Sequence, residues 1–157
     1  MNILEFNFAG NNTLCYVDID KVNFIDASTQ DGAGVLWQSP GLTLGPFDAR
    51  DIAVPVNKTL EEIFKIYPFL LDDFVICHRF HGQNLKKKIA FRPESFLNAL
   101  RYTKDEVLVN GLEVIAHNGN SIGIRTVETP QEIAEKIKEF HIKKNSKNLS
   151  VLNLPTT

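Results

Sequence analysis

Cysteine is scarce in this chain of 157 residues: only Cys15 and Cys77 occur, far apart in sequence. A small secreted domain stapled by disulfides carries more, at tighter spacing. The two therefore read as small buried hydrophobes, and a reducing, cytoplasmic compartment is expected. Long apolar runs are also missing. Nothing approaches the ~20 residues that a membrane-spanning helix needs, so no membrane partner is expected. The start, Met1 to Phe8, has neither a basic stretch nor a long apolar one; it reads as a strand rather than a signal peptide. An excess of one charge is absent too. Against 17 Lys+Arg stand 19 Asp+Glu, net −2, which excludes a uniformly basic polyanion binder. Nor is there a phosphate loop: Gly32-Ala33-Gly34 opens no strand–helix unit and no Lys-Ser/Thr completes it.

What is present suffices for a packed core. With 43% hydrophobic and 23% charged residues, the chain belongs with globular rather than disordered sequences. The near-neutral total conceals a split. Residues 1–83 hold five Lys/Arg and eleven Asp/Glu, net −6, and residues 84–157 hold twelve and eight, net +4. Basic residues group at Lys86, Lys87, Lys88 and Arg92, then at Lys143, Lys144 and Lys147.

The patterning predicts an α+β fold made mainly of antiparallel strands. Leu4, Phe6 and Phe8 alternate, and a turn cluster at Ala9-Gly10-Asn11-Asn12 leads into a second strand, so a hairpin opens the chain. Val22–Ile25 and Val35–Trp37 read as strands, and the single tryptophan, Trp37, as a core residue. Ile52–Val56 holds Pro55, which places that strand at a sheet edge. Phe74–Phe80 is a dense β-type run expected at the sheet centre. Asn110-Gly111, the favoured type I′ pair, predicts a hairpin between Val107–Val109 and Leu112–Ala116, and Asn118-Gly119-Asn120 a second turn before Ser121–Thr126. Two amphipathic helices are expected, at about 59–67 and 130–143, each announced by a Thr-x-x-Glu capping box at Thr59 and Thr129. A short third helix is expected at about 93–100, from Pro93 and the spacing of Phe96, Leu97 and Leu100. One domain over 1–145 follows, whose halves 1–72 and 73–145 would fit as subdomains. A mobile polar tail over 146–157, or a short strand at Leu149–Leu152, completes the reading.

Chemistry-bearing residues concentrate at Cys77-His78-Arg79-Phe80-His81. On a strand, neighbours point to opposite faces. His78 and His81 therefore diverge, and Cys77 would need a base such as His117 or His141 from elsewhere. A metal would need His117 or Cys15 to join this cluster, and tight zinc-type spacing is lacking, so no metal and no cofactor are expected.

The same block carries a resemblance. Phe74-x-x-x-His78-Arg79-x-x-x-x-Asn84-Leu85-Lys86, followed by Ile89, resembles the F-x-x-x-H-R-S-x-x-V-N-L-x-x-I block of LytTR DNA-binding domains. Val17-x-Ile19-x-x-Val22-x-x-Ile25 is similar to that family's opening strands, and Thr59-Leu60-Glu61-Glu62-Ile63 to its helix, in the same order. The likeness covers about residues 13–126. It implies a β-rich, metal-free DNA binder in which loops and the His-Arg block reach the grooves; position by position, His78, Arg79 and Asn84 match. The chain departs from the pattern at Phe80, where the family has a small polar residue, and at His81-Gly82-Gln83.

Three functional readings follow. The first is a non-catalytic binding or assembly module working through a protein partner or self-association, since folding accounts for the apolar residues and turns. The second is a LytTR-like regulator that contacts DNA through His78, Arg79, Asn84, Lys86, Lys87, Lys88 and Arg92. The third is a small enzyme built around Cys77 and the histidines.

Overall fold

A computed structural model describes residues 1–28, 33–38, 53–81, 85–117 and 120–152. The fold is α+β, and the strand pairs are antiparallel. Strands β1 (Ile3–Asn7) and β2 (Leu14–Asp18) form a hairpin, turned where Asn12 takes a positive φ of 60°. The remaining strands form one sheet: β3 (Val22–Ala27), β4 (Ala33–Gln38), β5 (Ala53–Thr59), β6 (Val75–His81), β7 (Leu85–Phe91), β8 (Phe96–Lys104), β9 (Val107–His117) and β10 (Asn120–Thr126). Their spatial order is β5-β4-β3-β7-β6-β10-β9-β8. Strands from both charge halves thus share one sheet, with β6 inside it. β5 lies at an edge, where Pro55 costs no interior ladder bond.

Alternation along the strands builds two cores on opposite faces. On one, Leu4, Phe6, Val17, Ile25, Leu36 and Ala90 pack with Leu60 and Ile63 of helix α1 (Leu60–Ile66). On the other, Phe24, Val75, Cys77, Ile89, Phe91, Leu112, Val114 and Ile124 pack with Ile133 of helix α2 (Pro130–Leu152). Both capping boxes form. At α1 the Thr59 N–H donates to Glu62 Oε1 at 3.1 Å while the Glu62 N–H donates to Thr59 Oγ1 at 3.3 Å; these bonds hold the Glu62 carboxyl below its ordinary pKa. At α2 the Thr129 and Glu132 pair repeats the exchange, at 3.2 Å in both directions.

Three expectations are corrected. Residues 93–100 are not a helix: Pro93–Ser95 makes a single 3-10 turn, and Phe96 onward is β8, held along its length by β9. Asn110-Gly111 is not a turn. β9 runs straight through it, and the hairpin turns instead at Asp105 and Glu106, whose φ values of 51° and 65° are the double positive pair of a type I′ turn. Finally, Leu149–Leu152 is helix, not strand. Asn145 and Ser146 are weak helix formers but not breakers, so α2 continues, with Lys144 bridging Asp73 and Lys147 bridging Asp72. The loop expected around Asp31-Gly32 and the breakers from Pro40 to Pro46 lie outside the described residues, as does the Trp37 side chain. No helix among the described residues is long and apolar enough to cross a membrane.

Candidate functional site

β6 presents its polar run to two faces, and each polar side chain is engaged. Cys77 points into the core shared with α2 and is fully buried. Burial and the Glu128 carboxylate both push its thiol well above the ordinary range, outweighing the opposite pull of Lys136. A reactive cysteine needs the reverse, an exposed and electropositive setting. Next along, His78 turns to the opposite face. Its backbone N–H donates to Glu128 Oε1 and its ring Nδ1 meets Oε2, each at 2.8 Å. A carboxylate only accepts, so Nδ1 carries the proton in this contact. Glu128 is buried and follows β10, whose Val127 N–H also donates to the His78 carbonyl at 2.9 Å.

Arg79 returns to the α2 side. Its Nη1 donates to Asp26 Oδ2 at 2.6 Å across β7, and both side chains are mostly shielded. His81 Nε2 contacts the Ala27 carbonyl oxygen at 2.9 Å, and a carbonyl accepts, so this ring nitrogen is the protonated one. Arg92 is consumed by the fold: Nε donates to the Val22 carbonyl and Nη2 to the Ile19 carbonyl, both at 2.6 Å, while its guanidinium stacks on Phe74 at 4.6 Å. Asn84 lies outside the described residues, as does the side chain of His117. Among the described residues, no three His, Cys, Asp or Glu side chains gather as a metal-binding group.

The lysines behave differently. The three sit inside β7, not ahead of it, and cross-strand pairing sets Lys88 beside His78 and Lys86 beside Phe80. Lys86 and Lys88 are exposed; Lys88 approaches Glu61 at only 3.9 Å, and Lys86 lies 5.9 Å from the Phe80 ring. With Thr59 and Glu61 they line a cleft of about 290 Å³ that also receives His78. On the same sheet face, Phe80, Arg125, Tyr102 and Lys104 wall a wider groove of about 620 Å³. Sequence reasoning missed Glu128, Asp26 and Arg125. Each is a lone charged residue whose partner is distant in sequence, so no local pattern marks it.

The far end of the sheet has another character. Hairpin β8–β9 exposes Leu97, Leu100, Tyr102, Val107 and Leu108, each at 41–55% of its full surface. Beyond β8, no strand among the described residues continues the sheet. The opposite edge is closed: Phe8 bridges Val56, and the Ala9 N–H donates to the Pro55 carbonyl at 3.0 Å.

The chain matches no protein-family model, no curated protein and no solved structure.

Proposed function

We propose that the protein is a non-catalytic binding and assembly module that works through protein–protein contacts made by hairpin β8–β9. The carrying observation is the unclosed β8 edge flanked by exposed Leu100, Tyr102 and Leu108. A long apolar edge offers unpaired main-chain groups to an incoming strand and alternate side chains to its pockets. A contiguous exposed apolar patch of this kind marks an interaction surface more often than an accident of folding. The β6 polar groups support this reading from the other side, since His78, Arg79 and His81 are committed to neighbours within the fold. The test compares retrieval of bound protein by the tagged chain and by an edge-blocked Leu100→Lys/Leu108→Lys form. Partners held by the first and lost by the second are expected. Equal retrieval by both would overturn the reading.

A second reading, a DNA-binding regulator of LytTR type, is favoured by one specific observation. Lys86 and Lys88 are exposed and share a cleft with His78. Duplex binding through them would weaken steeply as salt rises, by about one power of salt per phosphate neutralised. Replacing Lys86, Lys87 and Lys88 together with Ala is the clean variant, because Arg79 and Arg92 also hold the fold. Absence of salt-sensitive duplex binding at low ionic strength would remove this reading.

A further inference from the structure

The β8 edge fits one partner in particular. Resting on the assembly reading, we propose that two copies of this chain pair β8 against β8, antiparallel, about a two-fold axis through Leu100, so that their sheets join into one.

The two sheet edges are managed differently. Edge strands are ordinarily protected by proline, a bulge, a covering segment or sheer shortness. β5 has Pro55 and the covering contacts of Phe8 and Ala9. β8 has nine residues and no proline, and its one irregularity, between Phe96 and Asn98, is against β9.

Leu100 is the midpoint of Phe96–Lys104, so an axis there pairs the whole strand with its copy. Leu100 then meets Leu100, Asn98 meets Tyr102, Ala99 meets Arg101, Leu97 meets Thr103 and Phe96 meets Lys104. Both cations face uncharged residues. An axis through Arg101 would instead set two guanidinium groups directly opposite, which is destabilising. The two-fold lies normal to the sheet, because residues facing each other across it have the same parity and so the same face. Asn98, Leu100 and Tyr102 of both copies therefore form one continuous row. Leu100 and Tyr102, now 55% and 41% exposed, are the side chains this row covers.

The closure is also complete. A two-fold contact uses the same patch on both subunits. After pairing, both β8 edges are used and both β5 edges remain capped, so assembly stops at the dimer rather than extending into a filament.

Light scattering across a concentration series tests this on the full chain. Twice the chain mass is expected for the wild type, and a single mass for Leu100→Lys with unchanged circular dichroism. Leu100 is exposed, so that substitution disturbs no core. Register is read from cysteine pairing in a Cys15→Ser background. Opposed Cα atoms in an antiparallel pair lie about 4.5–5.5 Å apart, within disulfide reach. Leu100→Cys should therefore oxidise to a covalent dimer, and Arg101→Cys, which faces Ala99, should not. A wild type that is monomeric at every concentration, a dimer indifferent to Leu100→Lys, or equal cross-linking at both positions would overturn the proposal. If the monomeric wild type still loses retrieved partners when the edge is blocked, only self-pairing falls. If it loses none, the assembly reading falls with it.

Discussion

Glu128 holds His78 twice, accepting its backbone N–H and its ring Nδ1, each at 2.8 Å. The carboxylate is buried while the imidazole is about 39% exposed, so the acid is the fixed element and the ring the one it orients. The pair ties β6 to the segment linking β10 with α2. Glu128→Ala would leave the His78 N–H without its acceptor, and such a loss costs about 1–3 kcal/mol. Glu128→Gln keeps an acceptor for that N–H and should cost less. Urea midpoints of the two variants provide the check. Equal stability of Glu128→Ala and wild type would mean that the contact contributes nothing.

Arg79 and Asp26 form a shielded ion pair across β7, and removing one partner strands the other. Each single alanine variant should lose about 1–3 kcal/mol, by the worth of a hydrogen bond between charged groups. The double variant should lose less than the sum, since the second change removes the stranded charge. A double-mutant cycle by denaturant titration measures that difference. Strict additivity would show that the two groups act independently. The same cycle matters for the DNA reading, because lost binding in Arg79→Ala could come from lost stability alone.

The sequence disclosed what is locally encoded. Both capping boxes, the opening hairpin and the edge position of Pro55 follow from contacts within a few residues. The misread elements were decided at longer range. Phe96, Leu97 and Leu100 fit a helical face, yet pairing with β9 draws them into a strand. Asn110-Gly111 has turn chemistry, but Asp105 and Glu106 take the turn, and Gly111 serves instead as the bare spot beneath the Tyr102 ring. At the site, the β6 run was visible as a cluster. That Glu128 and Asp26 would neutralise it was not, because 50 and 53 residues separate each from its partner.

The buried thiol of Cys77 predicts an alkaline weakness. In the unfolded chain it ionises near its ordinary value of 9.0, whereas burial holds it protonated to higher pH in the fold. Below about 9 both states bind the proton and its contribution to stability is complete. Above that, the unfolded state releases the proton first, so stability falls as pH rises. Cys77→Ala should abolish this component, and the gap between wild-type and variant urea midpoints should shift in the variant's favour from pH 8 to pH 10. A constant gap would refute the assignment. In the native state a thiol reagent should reach half-buried Cys15 before Cys77.

Three strand glycines should respond unequally to alanine. A Cβ on Gly34 would sit 2.8 Å from Ile63 Cδ1 and 3.5 Å from the Lys58 carbonyl oxygen. Ile63 is fully buried and has no room to withdraw, so Gly34→Ala overpacks the core at about 1–3 kcal/mol. A Cβ on Gly111 meets Tyr102 Cε1 at the same 2.8 Å, but that ring is 41% exposed and can swing outward. Gly111→Ala should therefore cost less than about 0.5 kcal/mol, the range of ordinary surface changes. Gly123 has open space around its missing Cβ, and alanine there should stabilise slightly by restricting the unfolded chain. Melting temperatures should rank Gly123→Ala highest and Gly34→Ala lowest. A Gly111→Ala variant as damaged as Gly34→Ala would mean that Tyr102 is held in place, and so that the exposed face of β8 and β9 is more rigid than its side chains imply.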